Sequence, residues 1–163
     1  LANMAGADAL ITSWDSKKFY VFWRPVTAIN EGDNDGNPKT VGDPTWQPLL
    51  NTPNYPDYSS GANNVSGAMT RTLQLFFGTD KMYFEVTSLA PLAVKKTRVY
   101  RRFSDAAQDL VDARVYAGIH FRSADIAARE QGTRVAEWAF KRYLLPLEHR
   151  GYDASKALTD LAE

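Results

Sequence analysis

The sequence predicts an all-α domain, a helical bundle with at most one short extended arm. Three observations lead there. Apolar residues recur at helical spacing through residues 1–24, 61–77, 104–118 and 123–144. Serines suited to capping stand at the start of the later segments, and glycine or proline stands at their ends: Gly78, Gly118 and Pro146. Only residues 82–92 alternate in the way a strand does, and only in part.

Residues 1–24 read as the first helix, with Leu1, Met4, Ala5, Leu10, Ile11 and Trp14 as an apolar stripe continued by Phe19, Phe22 and Trp23. Pro25 disfavours helix at Arg24, so the helix is expected to end or kink there. Lys17 and Arg24 lie seven apart, which on one helix sets them about 20° from alignment and two turns apart. A pair of cations so spaced, with Lys18 beside it, fits a solvated basic face better than a site.

Residues 31–57 form a long polar loop, with four of the chain's eight prolines between Asp43 and Asp57. Loops of this length are commonly functional covers or disordered. Asp33, Asn34, Asp35 and Asn37 have the composition of a calcium loop but lack its terminal glutamate and flanking helices. Trp46, Leu49 and Leu50 are expected to pack down.

In the stretch 58–78, Ser59 or Ser60 can cap and Gly61 lets the backbone turn. Val65, Ala68, Met69, Leu73 and Phe76 follow on one side. A Ser-Gly turn opening a helix presents free N–H groups and a positive dipole end, a ready place for an anion. Residues 94–103 are basic and read as a solvated face, with a partner or lipid-headgroup patch as the alternative. Ser104 is the expected cap of the next helix, in which Ala107, Leu110, Val111 and Arg114 share a side. A second break leads to helix 123–144, with Ile126, Ala127, Val135, Trp138 and Ala139 as its expected buried positions. A short helix over 153–162, capped at Asp153, closes the chain.

The chemistry concentrates in ARVYAGIHFRSAD, residues 113–125. Arg114 carries a permanent charge on a planar fork of donors. His120 can serve as nucleophile, metal ligand or proton carrier. Six residues on one helix turn about 600°, so the two side chains would diverge by roughly 120°. They converge only if the helix breaks between them, and Gly118 is the place for the break.

Composition excludes several classes. The 163 residues suit one domain, and 44% hydrophobic content is enough for a core. Net charge is zero, which speaks against a general nucleic-acid footprint. There is no cysteine, so disulfide and thiol chemistry are out. No apolar run approaches the ~20 residues of a membrane span. Leu1 opens inside a helical pattern without methionine. The expectation is therefore a C-terminal portion of a longer protein, completed by a missing N-terminal segment or a second copy.

Taken together, Lys17 with Arg24-Pro25 fits K-x6-R-P, Ser60-Gly61 fits the centre of P-S-G-H, and Arg114 with His120 fits S-R-x5-H. In this order the words FWRP, YPDYSSG and RVYAGIHFRSAD resemble the vanadium-dependent haloperoxidases and the related type 2 phosphatidic acid phosphatases, in particular the bacterial haloperoxidase-like branch. The resemblance runs from about residue 14 to residue 140. It implies a helical bundle holding vanadate, or phosphate in its place, with Lys17, Arg24, Ser60, Gly61 and Arg114 as the oxyanion cradle. His120 would be the vanadium ligand in a peroxidase or the phosphoryl nucleophile in a phosphatase. The substrates implied are peroxide and halide, or a phosphate ester, and a periplasmic or secreted location is a family-level expectation.

The chain departs from the family pattern in several places. Ala62 stands where P-S-G-H has its acid–base histidine, and Asn63 and Asn64 beside it do not titrate. The only other histidine, His149, is expected at the surface. Ala113 replaces the serine of S-R, and Ser59 replaces a proline. The carboxylate that orients the ligand histidine commonly lies four residues after it. Here that position is Ala124, and Asp125 follows. Asp125 either orients His120 or serves as a first-turn helix acid. Two alternatives to an active enzyme follow: a non-catalytic or weakly active oxyanion-binding relative, which Ala62 favours, and a helical interaction module with no anion site.

Overall fold

The computed structural model describes residues 1–91 and 93–146. The terminal helix expected over 153–162 and the surface position expected of His149 lie outside the described residues. Four long helices, α1 (Ala2–Tyr20), α3 (Gly61–Phe77), α4 (Phe103–Tyr116) and α5 (Arg122–Phe140), carry the fold, with a short α2 (Pro25–Asn30) after α1. The extended arm is a two-stranded antiparallel hairpin, β1 (Lys81–Thr87) against β2 (Thr97–Arg102).

The core is built from small residues. Ala5, Ala9, Ala68, Ala136 and Ala139 are fully buried and cluster where α1, α3 and α5 meet, with Val135 against them. On α1 the buried positions Ala5, Ala9, Ser13 and Lys17 repeat every four residues, one face of a helix. On α5 the buried set is Ala124, Asp125, Ala128, Gly132, Ala136, Ala139 and Phe140. Helices α3 and α5 cross so closely that a Cβ on Gly132 would overlap the Asn64 carbonyl, and one on Gly67 the Arg129 carbonyl.

On α3 and α5, that close approach explains why the expected apolar stripes are displaced. Large side chains cannot occupy a helix contact closed to a Cβ, so they lie on the flanks. On α1, Ile11 is 67% exposed and Trp14 49%, against their predicted burial. Met69, Phe76, Ile126 and Trp138 are likewise exposed, while Ala68 and Ala139 are buried as expected. In α4, Ala107 and Val111 are buried on the predicted side.

Helix starts also differ from expectation. Asp80, at the foot of the hairpin, caps α4 from outside: its Oδ1 accepts the Ser104 N–H at 2.9 Å and its Oδ2 the Ser104 hydroxyl at 2.5 Å. Ser104 is thus inside the first turn, and Ser123 likewise follows the start of α5 at Arg122. The basic run supplies strand β2. Its Arg98 pairs with Asp109 of α4 at 2.9 Å, and Phe84 and Tyr100 face each other across the strands with ring centres 5.4 Å apart.

In the long loop, Trp46 packs on Gly118, and the Leu49 N–H donates to the Ala117 carbonyl at 3.0 Å. The side chains of Leu49 and Leu50 stay exposed, unlike the expectation. Asp33 and Asp35 accept hydrogen bonds from Gly42 and Asn37 of their own loop, and no group of three or more potential metal-ligating acids or histidines occurs among the described residues. No helix among them is long and apolar enough to cross a membrane.

Candidate oxyanion site

Three chain segments meet beneath the loop that ends at Ser60. The first is the last turn of α1 with the residues that follow it. Helix α1 ends at Tyr20, four residues before the expected Arg24 boundary, with Val21 in a left-handed conformation. Lys17 and Arg24 are therefore not on one helix face. They are joined by an extended turn, which leaves Arg24 as the N-cap residue of α2 in the restricted backbone region that Pro25 imposes.

Both cations are buried, Lys17 at 2% exposure and Arg24 at 6%. Buried charge needs partners. Lys17 Nζ donates to the Pro56 carbonyl at 2.7 Å and the Asp57 carbonyl at 2.9 Å. Arg24 Nε donates to the Tyr55 carbonyl at 2.9 Å and Nη1 to the Ile119 carbonyl at 2.6 Å. Both cationic heads lie 5.0 Å from the Tyr55 ring centre. Burial, with Arg24 nearby, pulls the Lys17 ammonium down to about 8. Burial also lowers Arg24 from its ordinary range, and Asp57 opposes that shift.

The second segment is the loop into α3. Ser60 is the N-cap residue of α3 and fully buried, yet its hydroxyl makes no capping bond. Gly61 and Ala62 open the helix, where N–H groups have no intrahelical acceptor. Asp57, three residues before Ser60, is also fully buried.

The third segment is the α4–α5 junction. Gly118 adopts φ +73° and closes against Trp46, so α4 ends and the chain turns as its glycine predicts. The break turns His120 toward Arg24, whose Nη1 lies 3.1 Å from His120 Nε2. On the other ring nitrogen, Nδ1 is 2.6 Å from Asp57 Oδ1. Burial lowers the His120 pKa, with Asp57 opposing and Arg24 and Arg114 reinforcing the shift. The imidazole is thus neutral at pH 7. Its proton belongs on Nδ1, facing the carboxylate, which leaves Nε2 as the lone-pair side of the ring, here in contact with Arg24 Nη1. Arg114, half-buried in the last turn of α4, acts electrostatically on Lys17, Arg24, His120 and Asp125.

Lys17, Arg24 and His120 therefore lie around Tyr55 and Asp57, while Ser60 stands at the opening of α3 with its contacts to Asn63 and Ala124. Asp125 is placed otherwise than as the orienting carboxylate. It lies in the first turn of α5, its Oδ1 accepting from Asn63 Nδ2 at 2.7 Å, and Asp57 holds the position beside His120. Asn63 and Asn64 are committed to Asp125 and Gln131. Asp57 and Tyr55 escaped the sequence reading. An acid in a proline-rich polar loop looks like any solvated acid, and only its burial distinguishes it.

A tetrahedral oxyanion fits these residues. Arg24 Nη2 and Arg114 Nε are buried donors with no acceptor in the protein. Leaving buried donors unpaired costs about 1–3 kcal/mol each, more when they are charged. An anion supplies the acceptors and offsets three clustered cations.

Comparisons with known proteins identify the fold. Residues 1–148 match the family described as the VCPO second helical-bundle domain. The vanadium chloroperoxidase of Curvularia inaequalis is 28% identical over 174 residues, covering 80% of this chain and 28% of that protein. The solved structure of the first bacterial vanadium-dependent iodoperoxidase is 34% identical, with a TM-score of 0.72, covering 86% of this chain and 32% of that one. A holo-type bacterial vanadium-dependent chloroperoxidase shares the fold at 20% identity and a TM-score of 0.70, over 86% of this chain and 34% of that one. The chain spans about a third of the length of these relatives. It belongs to the VCPO second helical-bundle domain family, the helical bundle of the vanadium haloperoxidases.

Proposed function

We propose that this chain is the oxyanion-binding part of a vanadium haloperoxidase-like enzyme. Lys17, Arg24, Ser60, Gly61 and Arg114 would hold vanadate, and His120 would ligate it through Nε2. The observation that carries the reading is the unpaired pair of buried donors, Arg24 Nη2 and Arg114 Nε, beside a neutral His120 whose Nδ1 faces Asp57. Bound vanadate would supply Lewis-acid activation of peroxide for oxygen transfer to halide. The chain's own residues neutralise the anion's charge, keep Nε2 unprotonated and fix the imidazole against Asp57. The same cradle would accept phosphate, with His120 as nucleophile toward a phosphate ester.

A second reading is a weakly active or non-catalytic oxyanion-binding relative. Ala62 favours it, because positioned acid–base groups contribute about 10²–10⁴-fold in rate. Calorimetric titration with orthovanadate near neutral pH, on the wild type and His120→Ala, tests the site. Binding lost in the variant supports it, and a wild type that does not bind defeats it. Turnover with peroxide and bromide then separates the two readings.

A further inference from the structure

Position 62, at the opening of α3, carries alanine and can move no proton. The titratable group placed behind the same helix N-terminus is Asp125. It is fully buried. Its Oδ1 is bonded to Asn63, and its Oδ2 is buried without a partner. Ser60 joins Asn63 in favouring the ionised form of the carboxyl. The Ser60 N–H also donates to the Ala124 carbonyl at 3.3 Å, which ties the cap of α3 to the first turn of α5. The Ser60 hydroxyl, unspent on capping, accepts from the same Asn63 Nδ2 at 3.4 Å, so one amide links it to the half-satisfied buried carboxyl.

We propose that Asp125 exchanges a proton with the oxyanion held in the cradle, through the hydroxyl of Ser60, in the role that Ala62 cannot fill. The inference rests on the oxyanion-binding reading above and assigns Asp125 a task other than orienting His120. In the donating direction the carboxyl proton passes to Ser60 Oγ while the Ser60 hydroxyl proton passes to an oxygen of the anion. Only O–H bonds are made and broken, and Ser60 ends as it began. Asp125 ends as carboxylate.

The surroundings set the poise of this group. Lys17 of α1, Arg114 of α4 and Arg122 of α5 favour the carboxylate, as do Ser60 and Asn63 of the α3 opening. Asp57 of the loop opposes it. Burial outweighs them and pushes the carboxyl up to about 6. An arriving dianion offsets the cations and adds a like charge, so it drives a proton onto Asp125 near neutral pH.

Sulfate is a suitable probe, being tetrahedral and not itself titrating in this range. Calorimetry at pH 7 in two buffers of different ionisation heat gives the protons taken up on binding. The wild type should take up about half a proton or more per sulfate, and Asp125→Asn at least about twofold less. Equal uptake by the two proteins overturns the proposal. An infrared difference spectrum of the wild type serves if the variant folds poorly. Added sulfate should raise a protonated-carboxyl band, and its absence overturns the proposal equally. A wild type that binds no sulfate sinks the oxyanion reading together with this inference. Binding without Asp125-linked uptake sinks this inference alone.

Discussion

His120 Nδ1 lies 2.6 Å from Asp57 Oδ1, with both side chains buried and Arg24 Nη1 3.1 Å from Nε2 and 3.4 Å from Nδ1. The contact sets which nitrogen carries the proton and which is left for chemistry. Asp57 also keeps the His120 pKa from falling further. In Asp57→Asn the imidazole should therefore stay neutral to lower pH than in the wild type, as read by NMR titration of the ring. Loss of the orienting charge should weaken vanadate binding by about 10–100-fold. A variant with the wild-type affinity and ring titration would remove Asp57 from the site.

His120 and Arg114 should fail in different ways. His120→Ala removes the ligand nitrogen and should abolish the preference for vanadate over phosphate, leaving phosphate binding within a few fold. Arg114→Ala removes a charge common to both and should weaken both anions by about tenfold or more. Competition titrations of the two anions read the contrast, and identical profiles for the two variants would defeat the assignment.

Lys17 gives the site a pH limit. Its folded pKa of about 8 lies below the ordinary 10.5, so the free protein loses this charge as pH rises through 8. A bound anion favours the charged form. Above pH 8 this loss should add a fall in sulfate affinity approaching about tenfold per pH unit until the pKa of the bound form is reached, on top of the shallower Asp125-linked slope near pH 7. In Lys17→Met the affinity should be weak throughout, with that step removed. Folding stability runs the other way. The unfolded chain binds the proton more tightly between 8 and 10.5, so the Lys17 contribution to stability rises across that window.

Two glycines should separate fold from site. A Cβ at Gly132 overlaps the Asn64 carbonyl, so Gly132→Ala should destabilise by about 1–3 kcal/mol or more in denaturant titration. Gly118→Ala meets both a left-handed backbone and the Trp46 ring. It should cost about 1–2 kcal/mol from the backbone alone. It should also weaken anion binding, because His120 is placed by that turn. Unchanged stability in Gly132→Ala would mean that the α3–α5 crossing is looser than described.

Ala62→His restores a titratable group at the opening of α3. Turnover with peroxide and bromide, or with a phosphate monoester, should rise by about 10–100-fold in an Asp125→Asn background and by less in the wild type, where Asp125 already serves. Intact vanadate binding without any gain in that background would mean that the proton at this site is handled by neither position.

The sequence by itself determined the helical class and the break at Gly118, which are local signals of capping and breaking residues. The grouping of Lys17, Arg24, Ser60, Gly61, Arg114 and His120 into one candidate cradle came from the family resemblance of the motifs and not from their spacing alone. Tertiary structure decided which faces are buried. The α3–α5 contact closes around Gly67 and Gly132, so small residues fill that crossing and Met69, Ile126 and Trp138 remain outside. Periodicity alone favours the large apolar residues as core and cannot see how closely two helices approach. The same holds for the carboxylates. Asp57 and Asp125 are equally acidic in sequence, but the chain path lays the loop before Ser60 across His120 and turns Asp125 toward Asn63. Burial and partner are properties of the fold, and they decide which acid faces His120.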